Sequence, residues 1–471
     1  LFVGFGLQFA QTGSWNLAGT SFGPLVKWLL LIGFAFKAGF FPFYSWLPRA
    51  HPVAPAHLSG MMSGLMIKTG IFGILLVLFN SSWQAFEICL LLGISLLTAF
   101  NGILHAMTES HIKRALAYSS IENIGIIGIG LSFWLLGNSS GNQTMSALGL
   151  AGALLHMLNH SLFKPLMFYL SGNILVGTHN LEPDSLGGLG KTMPRTAKLF
   201  LLGTFAISAL PVMNGFISEF GIFSSILSGF SEFSLTNTLA AVFCGAGFAF
   251  VSALALIVFS KIYAITFLGE ARSVHASEAR EVSAGMLFSP LLLALFCALL
   301  GIFGRLGLLV VSRPAQVLGA DPAVLRSFAG TLDLISIILA IFLMLAGLIY
   351  LLRKSFVKSR IEPTWGCGYV AASPRMQYTG SAFINPLAYF FKALIHHRSH
   401  KSRVQGYFPS ELHYREEVRD YVDNSIIQFL CRSLLRFYRL FDGIHNGRTN
   451  SYITWLLVVL IALLIWVLGG F

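Results

Sequence analysis

The stretch FKAGFFPFYSWLPRAHPVAPAHLSGMMSGLMIKTGIFG, residues 36–73, places Lys37 in an apolar run and interrupts that run with Pro42 and Pro48. It passes a short hydrophilic elbow at Arg49 and His51, then sets Lys68 inside a second apolar run. A lysine at the centre of a membrane helix costs about 2.5 to 3.5 kcal/mol on insertion scales. Two in succession therefore call for a reason. Proline in such a helix removes a backbone donor and frees the carbonyl one turn earlier, and the freed groups need helices, hydroxyls or water around them. Broken helices that line a hydrated cavity are where transporters keep their ion sites. The stretch predicts a polar conduit inside a helical bundle.

Composition sets the class. Of 471 residues, 55% are hydrophobic and 11% charged, against about a quarter charged in soluble domains, and the mean hydropathy is +0.74. The expectation is an all-α polytopic membrane protein. The cysteines Cys89, Cys244, Cys297, Cys367 and Cys431 stand singly with no CxxC pair, so neither a disulfide framework nor an iron–sulfur or zinc site is indicated. No metal or cofactor is expected in this chain. The net charge of +12 sits in loops between apolar runs, which argues against nucleic acid and for the positive-inside bias.

Runs of membrane-spanning length fall at about 23–43, 53–79, 84–107, 112–136, 145–175, 197–228, 238–268, 284–311, 328–352 and 452–470, about ten spans, with the end of another within 1–22. Loops holding Arg49, His111–Arg114, Lys191–Lys198, Arg272–Arg280 and Arg353–Arg360 fall on one side, which the bias makes cytoplasmic. The loops at 80–84, 137–144 and 229–236 on the other side have no lysine or arginine, the exception on that side being the Arg305–Arg326 connection. Three segments follow: a bundle over 1–357, a basic interfacial or cytoplasmic segment over 358–450, and an anchor over 451–471. Within the second, HHRSHKSR (His396–Arg403) and CRSLLRFYRLF (Cys431–Phe441) have the look of amphipathic surface pieces. The chain begins at Leu1 inside an apolar stretch without methionine or signal peptide, and the expectation is that the N-terminus is incomplete.

His156, His160 and Lys164 recur every fourth residue and stack on one helix face, with Pro165 expected to disturb the backbone beside them. Imidazoles beside a desolvated lysine make a proton relay, since histidine titrates near neutral pH; histidines that only bond between helices are the other reading. Glu122 lies near mid-depth of its span, either in an ion pair or as a titrating group. Pro211 and Gly215 predict a second broken helix ahead of Glu219, which either ionises or caps the restarted half. GGLGKT (Gly187–Thr192) lacks the strand and the first glycine of a phosphate-binding loop and reads as a plain loop. Gly60 and Gly64 sit at the spacing that lets helices pack closely.

The opening stretch, together with HIKRALAYSSIENIGIIGIG (His111–Gly130), HMLNHSLFKPLMFYLSGNIL (His156–Leu175) and ALPVMNGFISEF (Ala209–Phe220), resembles the antiporter-like subunits shared by respiratory complex I, Mrp-type cation/proton antiporters and membrane-bound hydrogenases. IENIGII, LNHSLFKP and TWGCGY (Thr364–Tyr369) are most similar to the large membrane subunit of formate hydrogenlyase and hydrogenase-4 assemblies. The resemblance runs from about Gly23 to Tyr369. It implies an antiporter-like bundle with two broken helices, at Pro42 and Pro211. It also implies ion translocation along Lys37, Lys68, Glu122, His156, His160, Lys164 and Glu219, with Lys164 central and Glu219 at the exit. Family members pair the first lysine with a glutamate on an earlier helix; no such residue precedes Lys37 here.

The resulting expectation is a non-catalytic subunit that moves protons or sodium ions in the cytoplasmic membrane of a prokaryote. Electron transfer in partner subunits would drive it, and nickel–iron and iron–sulfur centres would sit on those partners. An Mrp-type antiporter subunit without redox partner, and a non-conducting scaffold, are the alternatives. The number of intramembrane charges weighs against the scaffold.

Overall fold

The computed structural model describes residues 1–15, 21–231, 235–356, 373–396, 398–401, 414–418, 420, 422, 427–439 and 449–468. They fall into two units, Leu1–His397 and Arg398–Phe471.

The first unit is a helical bundle. In chain order its main helices are α1 (Phe2–Thr12), α2 (Pro24–Ala38), α3 (Trp46–Val53), α4 (Ala56–Phe79), α5 (Ala85–Thr108), α6 (Ile112–Ser140), α7 (Gln143–Thr178), α8 (Pro194–Ile207), α9 (Asn214–Ser228), α10 (Leu235–Phe267), α11 (Ala284–Ile302), α12 (Gly304–Val317), α13 (Pro322–Phe356) and α14 (Gly380–Phe390). The ends follow from local chemistry. Pro24 opens α2, and Gly39 closes it at φ 86°. Glu87 and Gln84 form a reciprocal capping box at the start of α5. The Asn142 side chain accepts from Met145 N at 2.8 Å to begin α7.

α6 is the axis, buried along its whole apolar window and packed between α5 and α7. Gly102 on α5 makes the approach possible: a Cβ there would fall 2.4 Å from Glu122 N. Any larger residue at this crossing would push α5 off the helix that carries Glu122. α7 in turn meets α4, α8, α9, α11, α12 and α13 as well as α6, so it is enclosed along most of its length.

Six helices of the described residues are long and apolar enough to cross a membrane. The chain is a multi-pass membrane protein. The expected count of about ten spans is not matched one for one: the run at 284–311 is two helices meeting at Phe303. Both breaks are present. The first spans residues 39–45 and contains Pro42, and the Phe41 N–H freed there donates to Thr98 Oγ1 at 3.1 Å. Pro48, expected to help break the helix, instead lies in the first turn of α3, where no partner for its nitrogen is needed. The second spans residues 208–213 and contains Pro211, with Ala209 and Val212 held at φ 48° and 82°. Gly215 belongs to the restarted helix, where a Cβ would lie 2.1 Å from Ala206 O.

Pro165 does not interrupt α7, which runs through it for 36 residues. The irregularity is transferred to the neighbour. α4 widens into a π turn at Met62–Met66, and Gly64 within it faces the proline ring so closely that a Cβ would come 2.6 Å from Pro165 Cγ. Gly60 likewise faces Tyr169, so the two glycines do serve close helix packing.

Residues 373–396 belong to the bundle: Gly380 N donates to Asp184 Oδ1 at 2.6 Å, and the Phe391 ring meets Phe100 and Phe250. The TWGCGY segment lies outside the described residues. In the second unit a short antiparallel pair joins Arg398–Lys401 to Tyr414–Glu417, followed by α15 (Gln428–Arg439) and the apolar α16 (Thr449–Leu468). On α15 Arg432, Arg436 and Arg439 recur at helical spacing on one face.

Candidate functional site

The polar interior is assembled from α4, α6, α7 and α9. Lys68 lies two residues past the π segment, and its Nζ donates to Ser63 O at 2.6 Å and meets His160 Nδ1. Ser63 Oγ lies 2.9 Å from Ser120 Oγ, which ties α4 to α6. One turn further along α7, Lys164 Nζ donates to Leu116 O at 3.1 Å and to Ser119 Oγ, both on α6. One turn back, His156 Nε2 lies 3.0 Å from Asn123 Oδ1 on α6, while its Nδ1 lies 3.0 Å from Ser218 Oγ on α9.

The rest of the line joins at these two contacts. Asn123 Nδ2 donates to Ser119 O at 2.7 Å and, more weakly, to Glu122 Oε2 at 3.4 Å. Ser218 is followed by Glu219, whose Oε2 accepts from Ser252 Oγ on α10 at 2.7 Å. Asn159 and Asn214 brace the second break by exchanging bonds with each other's carbonyls. His156, His160 and Lys164 are fully buried, and Glu122 nearly so.

One property unites these groups. Among the described residues none of Lys68, Lys164, Glu122 and Glu219 forms an ion pair. The lysines are held by carbonyls, hydroxyls and an imidazole, and Glu122, which acts on Lys164 electrostatically, is not in ion-pair contact with it. A buried cation bonded directly only to neutral acceptors is held in its charged form less firmly than one in contact with a carboxylate. That is what a group passing protons onward requires.

Six of the seven expected residues come together. Lys37 does not: it is exposed on α2, contrary to the expectation of a buried first lysine. The cation that α2 does bury is Lys27, near its other end, paired with Glu87 at 2.7 Å and lying over the Trp83 ring at 4.3 Å from its centroid. Sequence reasoning also passed over Lys113, which donates to Ala54 O at 2.8 Å, and Lys261, which donates to Met107 O at 2.6 Å. The linking residues Ser119, Asn123 and Ser218 carry no signal of their own. Their only trace in the sequence is polarity at helical spacing opposite the histidines. GGLGKT, expected as a plain loop, is a turn at Gly187 and Gly188, both at positive φ, followed by a single helical turn over Leu189–Thr192, with Lys191 paired to Glu270.

This arrangement, two broken helices around a buried line of lysine, histidine and glutamate, defines an ion-translocating type of membrane subunit. Residues 8–268 match the transmembrane family of NADH:quinone oxidoreductase and Mrp antiporter subunits, and the chain belongs to that family. It is 32% identical to hydrogenase-4 component B of Escherichia coli over 99% of its own length and 73% of the relative's. It is 34% identical to formate hydrogenlyase subunit 3 of the same organism over 78% of its length and 60% of the relative's. Among solved structures, a subunit of the archaeal membrane-bound sulfane sulfur reductase superposes with a TM-score of 0.71 at 21% identity, over 98% of this chain and 73% of that one. A chain of respiratory complex I from Thermus thermophilus gives 0.54 at 21% identity, over 71% and 66%. These two likenesses establish the fold.

Proposed function

We propose that the chain is the ion-translocating membrane subunit of a complex I-like hydrogenase or formate hydrogenlyase assembly in the cytoplasmic membrane of a prokaryote. It moves protons, with sodium ions the alternative cargo, along Lys68, His160, Lys164, His156, Glu122 and Glu219. The observation that carries the reading is the buried line of ionisable groups whose partners are neutral. A proton arriving at Lys164 raises the charge beside Glu122 and His160, and electrostatic repulsion or attraction passes the change to the neighbours. Glu219, tethered to Ser252 beside the second break, is the group nearest release on this line.

Partner subunits supply the energy. We assign nickel–iron and iron–sulfur centres to those partners and none to this chain. A stand-alone antiporter of the Mrp kind differs in what it assembles with: mild detergent extraction of the tagged chain should bring down hydrogenase-type subunits, whereas small antiporter subunits alone would move the function to secondary exchange.

The test of translocation is Lys164→Ala in the complete assembly, reconstituted into vesicles. Proton uptake should fall by about two orders of magnitude, the size of effect a positioned proton carrier contributes. Uptake at the wild-type rate would end the relay reading.

A further inference from the structure

His51 stands just after the first helix break and takes no part in the line described above. It is fully buried, yet neither ring nitrogen has a partner among the described residues. A buried imidazole with both nitrogens free is uncommon, because burial of a polar group without a hydrogen bond costs about 1 to 3 kcal/mol.

Its position gives the reason. The ring stacks on Phe168, centroids 4.7 Å apart at 17°. Phe168 follows Lys164 by four residues, so it continues the stripe His156, His160, Lys164 by one more helical turn. His51 therefore lies at the lysine end of the polar stripe, where Lys164 on α7 and Lys113 on α6 act on it electrostatically. α7 runs from the lysine-free loop at 137–144 towards the basic loop of Lys191 and Arg195, so this end is the cytoplasmic one by the positive-inside rule. Lys113, at the first turn of α6, closes the same corner through its bond to Ala54 O. Ser59 Oγ donates to the His51 carbonyl at 3.0 Å and fixes the backbone while leaving the ring nitrogens untouched.

We infer that His51 is the loading residue of the relay, taking protons from the cytoplasmic side and delivering them to Lys164. Two free nitrogens suit this task. Burial and then the neighbouring Lys164 and Lys113 push this imidazole down to about 3, so the ring rests neutral. A proton from cytoplasmic water enters at one nitrogen as the proton on the other leaves to the neutral Lys164 amine, which becomes ammonium, and the imidazole is left neutral in its other tautomer. The inference rests on the translocation reading above and deepens it.

The test uses His51→Gln and His51→Ala in the complete assembly, in vesicles, beside Lys164→Ala. Co-purification of partner subunits confirms assembly, and the nearly isosteric glutamine carries the test if alanine fails to assemble. Proton uptake should drop at least about tenfold in both His51 variants, and added imidazole should restore a substantial part of the rate in His51→Ala, which a purely structural role would not allow. Wild-type uptake in His51→Gln, or an assembled His51→Ala indifferent to imidazole, overturns the inference. If Lys164→Ala abolishes uptake while His51→Gln does not, the loading role falls and the relay stands; if neither variant changes uptake, the relay itself falls.

Discussion

The charges at the edge of the bundle and those in its interior are held in opposite ways. At the edge, exposed Arg305 pairs with Asp333 at 2.7 Å and Lys191 with Glu270 at 2.6 Å, and Lys27, buried near the first end of α2, pairs with Glu87 at 2.7 Å. In the interior, Lys68 and Lys164 rest on carbonyls, serine hydroxyls and an imidazole. A carboxylate beside a lysine fixes the ammonium in place, because losing the proton would leave the carboxylate unpaired. Neutral partners impose no such condition. The edge pairs locate helices, and the interior groups are left free to change charge, although burying them in this way gives up the stabilisation a counterion would bring.

Several substitutions sharpen the contrast. The largest effect in the interior after Lys164 itself is expected at Lys68: Lys68→Met should lower proton uptake by at least about tenfold and cost about 1 to 3 kcal/mol of stability, since Ser63 O and His160 Nδ1 lose their partner. Uptake in vesicles and thermal denaturation of the solubilised assembly measure the two effects separately. Lys27→Ala should show the reverse pattern, a stability loss of about 2 kcal/mol with uptake unchanged. That loss lies below the range for a fully buried pair because the Glu87 side chain retains 17% exposure. The smallest effect belongs to Lys37→Gln, which removes a charge from the exposed face of α2 and should leave both readouts near wild type. A severe uptake defect in Lys37→Gln would place the conduit on the α2 side and break the contrast drawn here.

Much of this was legible in the sequence, for identifiable reasons. Lysines and a carboxylate inside apolar runs are costly enough to mark themselves, and the four-residue spacing of His156, His160 and Lys164 places them on one face whatever surrounds the helix. Pro42 and Pro211 located both breaks. What stayed hidden depends on the partner helix. Lys37 and Lys27 both lie on α2, and only the packing of Trp83 and Glu87 decides which of them is buried. Pro165 was expected to bend its own helix, but the adjustment is made across the interface by a π turn at Gly64. Ser119, Asn123 and Ser218 became part of the line only once α6 and α9 were brought against α7.

The central claim, that interior lysines work because their partners carry no charge, is tested most directly by giving Lys164 a counterion. Ser119, whose hydroxyl touches Lys164 Nζ, is the place to put it, with Ser119→Asn as the neutral control of the same size. Both variants are reconstituted with the complete assembly and compared for proton uptake into vesicles. The account predicts that Ser119→Asp assembles and loses uptake by at least about tenfold, as the carboxylate holds the ammonium, while Ser119→Asn keeps most of it. Equal uptake in wild type and Ser119→Asp would contradict it.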